Sequence, residues 1–122
     1  IIVATDAPLL PHQCRRLAQR ATIGLARVGG YGADSSGDIF LAFSTGNRGL
    51  PRPEDKAALA ATATYLPNAT MTPLFEATAD ATEEAILNAM CMAVTTAGIN
   101  NRVAHAIPLD RLREIMARFM FE

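Results

Sequence analysis

The chain predicts an α/β fold, and the prediction rests on its first 45 residues. Ile1-Ile2-Val3-Ala4-Thr5 is a continuous apolar, β-branched run, the pattern of a strand buried on both faces. Cys14, Leu17, Ala18, Ala21, Leu25 and Val28 then recur at helical spacing. A second apolar run, Ile39-Phe40-Leu41-Ala42-Phe43, gives a second strand from about Asp38 to Thr45. Strand, helix, strand is the rhythm of a βαβ unit. It permits direct parallel pairing through a crossover, and it leaves a non-adjacent pairing open.

Each element has its punctuation. Asp6-Ala7-Pro8 ends the first strand, because Pro8 has no N–H for a ladder. Pro11 suits the first turn of the helix that follows, and Gly29-Gly30 stops it. Arg15, Arg16 and Arg20 read as a solvated basic face of that helix. Gly24 marks a close approach to a neighbouring element. Tyr31 to Ser36 is loop by composition, and the glycines and prolines of Gly46 to Pro53 exclude helix and central strand. Glu54 to Ala63 is Ala-rich and reads as a short helix or a lid-like excursion, and Thr64-Tyr65-Leu66 as a short strand. Thr72-Pro73 opens the longest helix, expected to run to Ala97 with Gly98 as its stop. That helix is apolar on most sides, as if buried between layers. Glu83 and Glu84 interrupt it; adjacent helical residues do not face each other, so they read as solvated or ion-paired surface. A turn over Gly98 to Asn101 and a last amphipathic helix using Leu109, Leu112, Ile115, Met116 and Phe119 complete the chain.

With 122 residues, half of them apolar, the chain is expected to be a single unit, residues 1–122. Its net charge is −1 and its 11 basic residues are dispersed, so neither nucleic acid nor a membrane surface is an expected partner. No apolar run approaches the roughly 18–20 residues of a transmembrane helix. Cys14 and Cys91 lie apart in helical patterns and read as buried free thiols. The histidines, His12 and His105, never cluster with the cysteines, so no metal is expected, and no cofactor motif is present. Both histidines read as structural or surface residues rather than catalytic bases.

Ser36 and Asp38 are the candidate catalytic residues. They stand two apart at the start of a strand, so extended geometry points both side chains the same way. A carboxylate beside a hydroxyl can orient it or accept its proton. Ser-Gly-Asp is also ordinary turn composition.

Longer strings carry a family resemblance. Ala4-Thr5-Asp6-Ala7-Pro8-Leu9-Leu10-Pro11-His12-Gln13, Arg20 to Arg27, Ser36-Gly37-Asp38-Ile39-Phe40-Leu41-Ala42-Phe43-Ser44-Thr45, and Pro73 to Thr78 continuing into Ala81 to Ala89 resemble the DmpA-type aminopeptidases. These are the L-aminopeptidase/D-Ala-esterase/amidases and β-peptidyl aminopeptidases. Leu50 to Leu66 is the least recognisable segment. The resemblance implies a precursor that cuts itself in two, freeing the amino terminus of a serine nucleophile, with this chain as the smaller C-terminal product. It implies an αββα four-layer sandwich completed by the second, larger chain, and further assembly of the two-chain unit into a homo-oligomer. The implied substrates are peptides, amides or esters. Ser36 would lie beside the nucleophile and Asp38 would hold Ser36; some relatives carry the longer Glu at this position. The family pattern places the serine a few residues before the Ala-Thr-Asp-Ala-Pro string, ahead of Ile1, which itself opens mid-strand. The expectation is therefore a start further upstream, rather than a copy without its nucleophile. The alternatives are an acetyltransferase of the ornithine acetyltransferase type, with threonine in the nucleophile position, and a non-catalytic assembly module.

Overall fold

Strands β1 (Ile2–Thr5) and β2 (Leu41–Ser44) pair directly and in parallel, Ile2 opposite Leu41 and Thr5 opposite Ser44, with helix α1 (Pro11–Arg27) as the crossover. The computed structural model describes residues 1–119, which fall into two compact units, Ile1–Glu83 and a second from Glu84 onward. In the first, the expected double-sided burial of β1 is corrected. Exposed and half-buried residues alternate along both strands. Val3 and Ala42 pack on the core, while Ile2 and Leu41, opposite each other, are 70% and 55% exposed. One face of the sheet is bare. Strand β2 is also shorter than the expected span from Asp38, because the ladder extends only over residues with a partner across it.

Helix α1 buries Gln13, Cys14, Leu17, Ala18, Ala21 and Gly24 on one stripe, as the spacing predicts. Its first turn has a cap that no side chain of Leu10 supplies. Instead the Oε1 of Gln13 accepts the Leu10 N–H at 2.9 Å. The Gln13 Nε2 donates to the Leu66 carbonyl at 2.7 Å and to Asn68 Oδ1 at 3.1 Å. One buried amide thus ties the helix start to the segment leading into the next helix, with its polar atoms satisfied. The core around it joins Leu9, Cys14, Leu17 and Met71. At the other end Gly29 takes φ +97°, the left-handed region, and its N–H reaches the Ala26 carbonyl at 3.0 Å.

Helix α2 (Thr72–Met92) begins in the first unit, with Pro73 in its first turn as expected. It crosses α1 at Gly24, where a Cβ would fall 2.6 Å from Thr82 Cβ and overlap the Ala79 carbonyl. The close approach read from Gly24 is therefore present, and its partner is α2. Beside it Arg27 Nη1 reaches Asp80 at 2.6 Å and Glu83 at 3.1 Å. These carboxylates hold the Arg27 pKa above its ordinary value. Glu83 is thus ion-paired and Glu84 exposed. The basic face is only partly solvated: Arg16 and Arg20 stand over the Phe75 ring, 5.0 and 4.5 Å from its centroid.

The connection from β2 to α2 departs from expectation. Glu54 to Ala63 forms no helix and is exposed throughout. It follows Pro51 and Pro53 and has no packed face to repay helix nucleation. Thr64 to Leu66 makes no strand. Asn47 grips Thr64 through two 2.9 Å bonds, and the Leu66 N–H donates to Pro8 at 3.0 Å.

In the second unit α2 ends at Met92 rather than Ala97. Val94, Thr95 and Thr96 are β-branched and disfavour helix. Thr96–Ala97 instead forms β3, antiparallel to β4 (Val103–Ala104) across the turn read at Gly98 to Asn101. Helix α3 (Leu109–Ala117) follows, with Phe119 beyond its end. No residue described from Glu84 onward is buried, so the expectation of an α2 enclosed on most sides does not hold within this chain. Among the described residues no helix is long and apolar enough to cross a membrane.

Candidate active site

Ser36 and Asp38 are together, but a turn brings them together, not an extended strand. The Ser36 N–H closes on the Ala33 carbonyl at 2.7 Å. The Ser36 Oγ donates to Asp38 Oδ2 at 2.5 Å, and the Asp38 N–H approaches the same Oγ at 3.4 Å. This local loop of side chain and backbone suits Ser and Asp, which bond readily to nearby backbone. The two side chains do meet, but through a turn and not through the same-side projection of an extended strand. Both residues are exposed. With its proton committed to Asp38, the Ser36 oxygen presents its remaining lone pair to whatever lies alongside.

The beginning of β1 is fixed nearby in sequence, at Ile39. The Ile1 ammonium donates to the Ile39 carbonyl at 2.8 Å, and the Leu41 N–H donates to the Ile1 carbonyl at 2.9 Å. The parallel ladder therefore already runs beside Ile39, one residue past Asp38. At the other end of the strand pair Ser44 acts as a brace. Its Oγ donates to the Ala7 carbonyl at 2.5 Å and accepts the Gly46 N–H at 3.1 Å. The two strand ends are thus locked in relative position.

Ser36 and Asp38 open into a cleft of about 590 Å³. Thr22, Ile23 and Ala26 of α1, Tyr31 beyond its cap, and Phe40 just before β2 help to line it. Sequence reasoning missed these walls, because they meet only through the helix end and the turn. It also missed Gln13, although Gln at the third helical position after a proline is a recognised capping signal.

The remaining candidates lie elsewhere. His12 and His105 are exposed and line no part of this cleft. Cys14 is buried, and burial pushes its thiol pKa up; Cys91, expected to be buried, is exposed. Among the described residues no group of three His, Cys, Asp or Glu could hold a metal ion.

Solved structures set the class. A β-aminopeptidase from Burkholderia sp. superposes on 99% of this chain and 35% of its own, with a TM-score of 0.85 and 44% identity. The L-aminopeptidase D-Ala-esterase/amidase of Ochrobactrum anthropi, a prototype of the serine aminopeptidases and a variant of the Ntn hydrolase fold, covers 97% of this chain and 33% of its own at a TM-score of 0.83 and 36% identity. The chain thus has part of an Ntn hydrolase fold. Residues 1–104 match the model of peptidase family S58, and the chain belongs to that family. The β-peptidyl aminopeptidase BapA of Sphingosinicella microcystinivorans is 42% identical over 119 residues, 98% of this chain. Those residues are 29% of BapA, so the chain spans under a third of this relative's length.

Proposed function

We propose that this chain is the smaller, C-terminal subunit of a self-cleaved aminopeptidase and that it surrounds an amino-terminal serine nucleophile with Ser36 and Asp38. The assembled enzyme releases amino-terminal residues from peptides, amides or esters. The register of β1 on β2 carries the reading. Each residue of β1 faces the residue 39 positions later. Continued upstream of Ile1, the strand leads past Ile39 toward the turn that holds Ser36 and Asp38. The family pattern has its serine on that stretch, ahead of Ile1, which would bring it near Ser36 and Asp38.

The chemistry then divides simply. The serine hydroxyl adds to the substrate carbonyl while its proton passes to the free α-amine, whose ordinary pKa near 7.7–8.0 suits a base at neutral pH. The departing amine or alcohol takes that proton. Water hydrolyses the acyl-enzyme by the same route in reverse. Ser36, held by Asp38, bonds the nucleophile and keeps its proton network in one orientation. Oxyanion donors come from the larger chain.

The bare sheet face supports the two-chain architecture. Ile2, Ala4, Leu41 and Phe43 line it, and a second sheet at about 10 Å would cover it. That is the αββα sandwich completed by the larger chain. The exposed apolar residues of the second unit, Met92, Val94 and Ile99 among them, suit the same assembly and its further homo-oligomer.

Amino-terminal sequencing of the chain carrying Ser36, from an active preparation, tests the proposal. Serine at its start, with hydrolysis of aminoacyl amides, is the expected result. Threonine, with acetyl transfer to an amine and no hydrolysis, would instead mark the acetyltransferase chemistry. Failure of a serine-reactive ester to acylate the folded protein would mark a non-catalytic module.

A further inference from the structure

The cleft beside Ser36 and Asp38 has a composition that the hydrolytic chemistry does not require. A nucleophile, a base and an oxyanion hole need polar groups. Most of this wall is carbon: Ile23, Leu25 and Ala26 from the last turns of α1, with Phe40 and the ring of Tyr31. The polar side chains among the lining residues are Thr22, the Tyr31 hydroxyl and the catalytic pair. The volume of about 590 Å³ falls in the range of pockets that bury a small ligand against apolar walls, with few polar groups to orient it.

These walls are also held in place by the fold. Helix α1 ends where Gly29 and Gly30 return their N–H groups to Ala26 and Leu25, at 3.0 and 2.9 Å. That cap swings the chain so that Tyr31 follows directly on the helix end. Phe40 precedes β2 by one residue, in the segment that Ile1 anchors at Ile39. Ile23 is 45% exposed and Tyr31 86% exposed, so neither is needed to fill the core of this unit.

We infer that this cleft receives the side chain of the residue being released, and that Ile23 and Tyr31 determine specificity by favouring a large apolar side chain over alanine or glycine. The inference rests on the aminopeptidase reading above and adds to it the class of amino-terminal residue. A substrate carbonyl placed at a nucleophile beside Ser36 has its α-carbon one bond further on, at the mouth of the cleft that Ser36 and Asp38 line. Its side chain then projects either to solvent or into the adjoining apolar cleft. Burial against carbon is favourable at about 25 cal/mol per Å², which favours the cleft.

The test uses the complete two-chain enzyme and p-nitroanilides of leucine, phenylalanine, alanine and glycine. The ratio of kcat/KM for leucine or phenylalanine to that for alanine is read in wild type, Ile23→Ala, Tyr31→Ala and Tyr31→Phe. Hydrophobic pockets discriminate by roughly 10- to 200-fold per missing group, so the expected loss in the ratio is about tenfold for each alanine variant. Tyr31→Phe keeps the ratio, because the ring and not the hydroxyl makes the wall. Leu59→Ser, in the exposed connection away from the cleft, is the control. An unchanged ratio in both alanine variants of an active enzyme overturns the inference and leaves the aminopeptidase reading standing. Absence of hydrolysis by wild type of all these substrates, and of the corresponding β-amino acid p-nitroanilides, overturns both.

Discussion

Two regions of the first unit, built from adjacent stretches of chain, are arranged in opposite ways. Gln13, Leu17 and Met71 are enclosed, at 0–1% exposure, and the buried amide of Gln13 ties two segments together through Leu10, Leu66 and Asn68. Around Ser36 and Asp38 the side chains are exposed, held by one another and by a turn rather than by packing. On the proposed reading the first region carries stability and the second carries chemistry. Loop residues on a rigid scaffold commonly divide labour this way.

That contrast breaks first at the site. Asp38→Asn and Ser36→Ala should lower kcat of the two-chain enzyme by about ten- to ten-thousand-fold, with the melting temperature unmoved. A fall in melting temperature of the same variants would make the corner a structural element. The reciprocal pattern belongs to the enclosed region. Leu17→Ala should cost about 2–5 kcal/mol in chemical denaturation, with activity per folded molecule preserved. Gln13→Ala leaves the Leu10 N–H and Leu66 carbonyl without their partner and should cost about 1–3 kcal/mol.

The Cys14 thiol sharpens the contrast in pH. Burial raises its folded pKa above the ordinary thiol range, so the folded state keeps this proton to higher pH than the unfolded one. Its contribution to stability is complete below the ordinary thiol pKa and fades as pH rises through the raised value. The stability advantage of wild type over Cys14→Ala in denaturation curves should therefore shrink as pH rises into the alkaline range. At neutral pH, iodoacetamide should label Cys14 only after unfolding. The smallest effect is expected at Arg27, whose pairs with Asp80 and Glu83 lie at the surface. Arg27→Ala should shift the melting temperature only slightly, and less still at high salt.

Local signals in the sequence were legible where the local structure decides. The strand of Ile1 to Thr5, the helix from Pro11, its glycine stop and the close approach at Gly24 all follow from spacing and backbone chemistry. Ser36 and Asp38 were legible as a pair, although a turn and not a strand unites them. Burial was read less well. The apolar run in β1 and the apolar girth of α2 predicted enclosure that this chain alone does not provide. On the proposed reading those patterns record the assembled enzyme, since a sequence encodes the environment of every surface it will bury. The end of α2 and the unformed helix over Glu54 to Ala63 were missed for a different reason. Alanine-rich composition favours helix only weakly, and packing decides.

The sharpest single measurement is where a serine-reactive sulfonyl fluoride attaches to the active two-chain enzyme, located by peptide mass spectrometry. The prediction is one adduct per active site, on a serine at the amino terminus of the chain that contains Ser36, with activity lost in proportion. An adduct on Ser36 itself, or full inhibition with no adduct on that terminal residue, would contradict it.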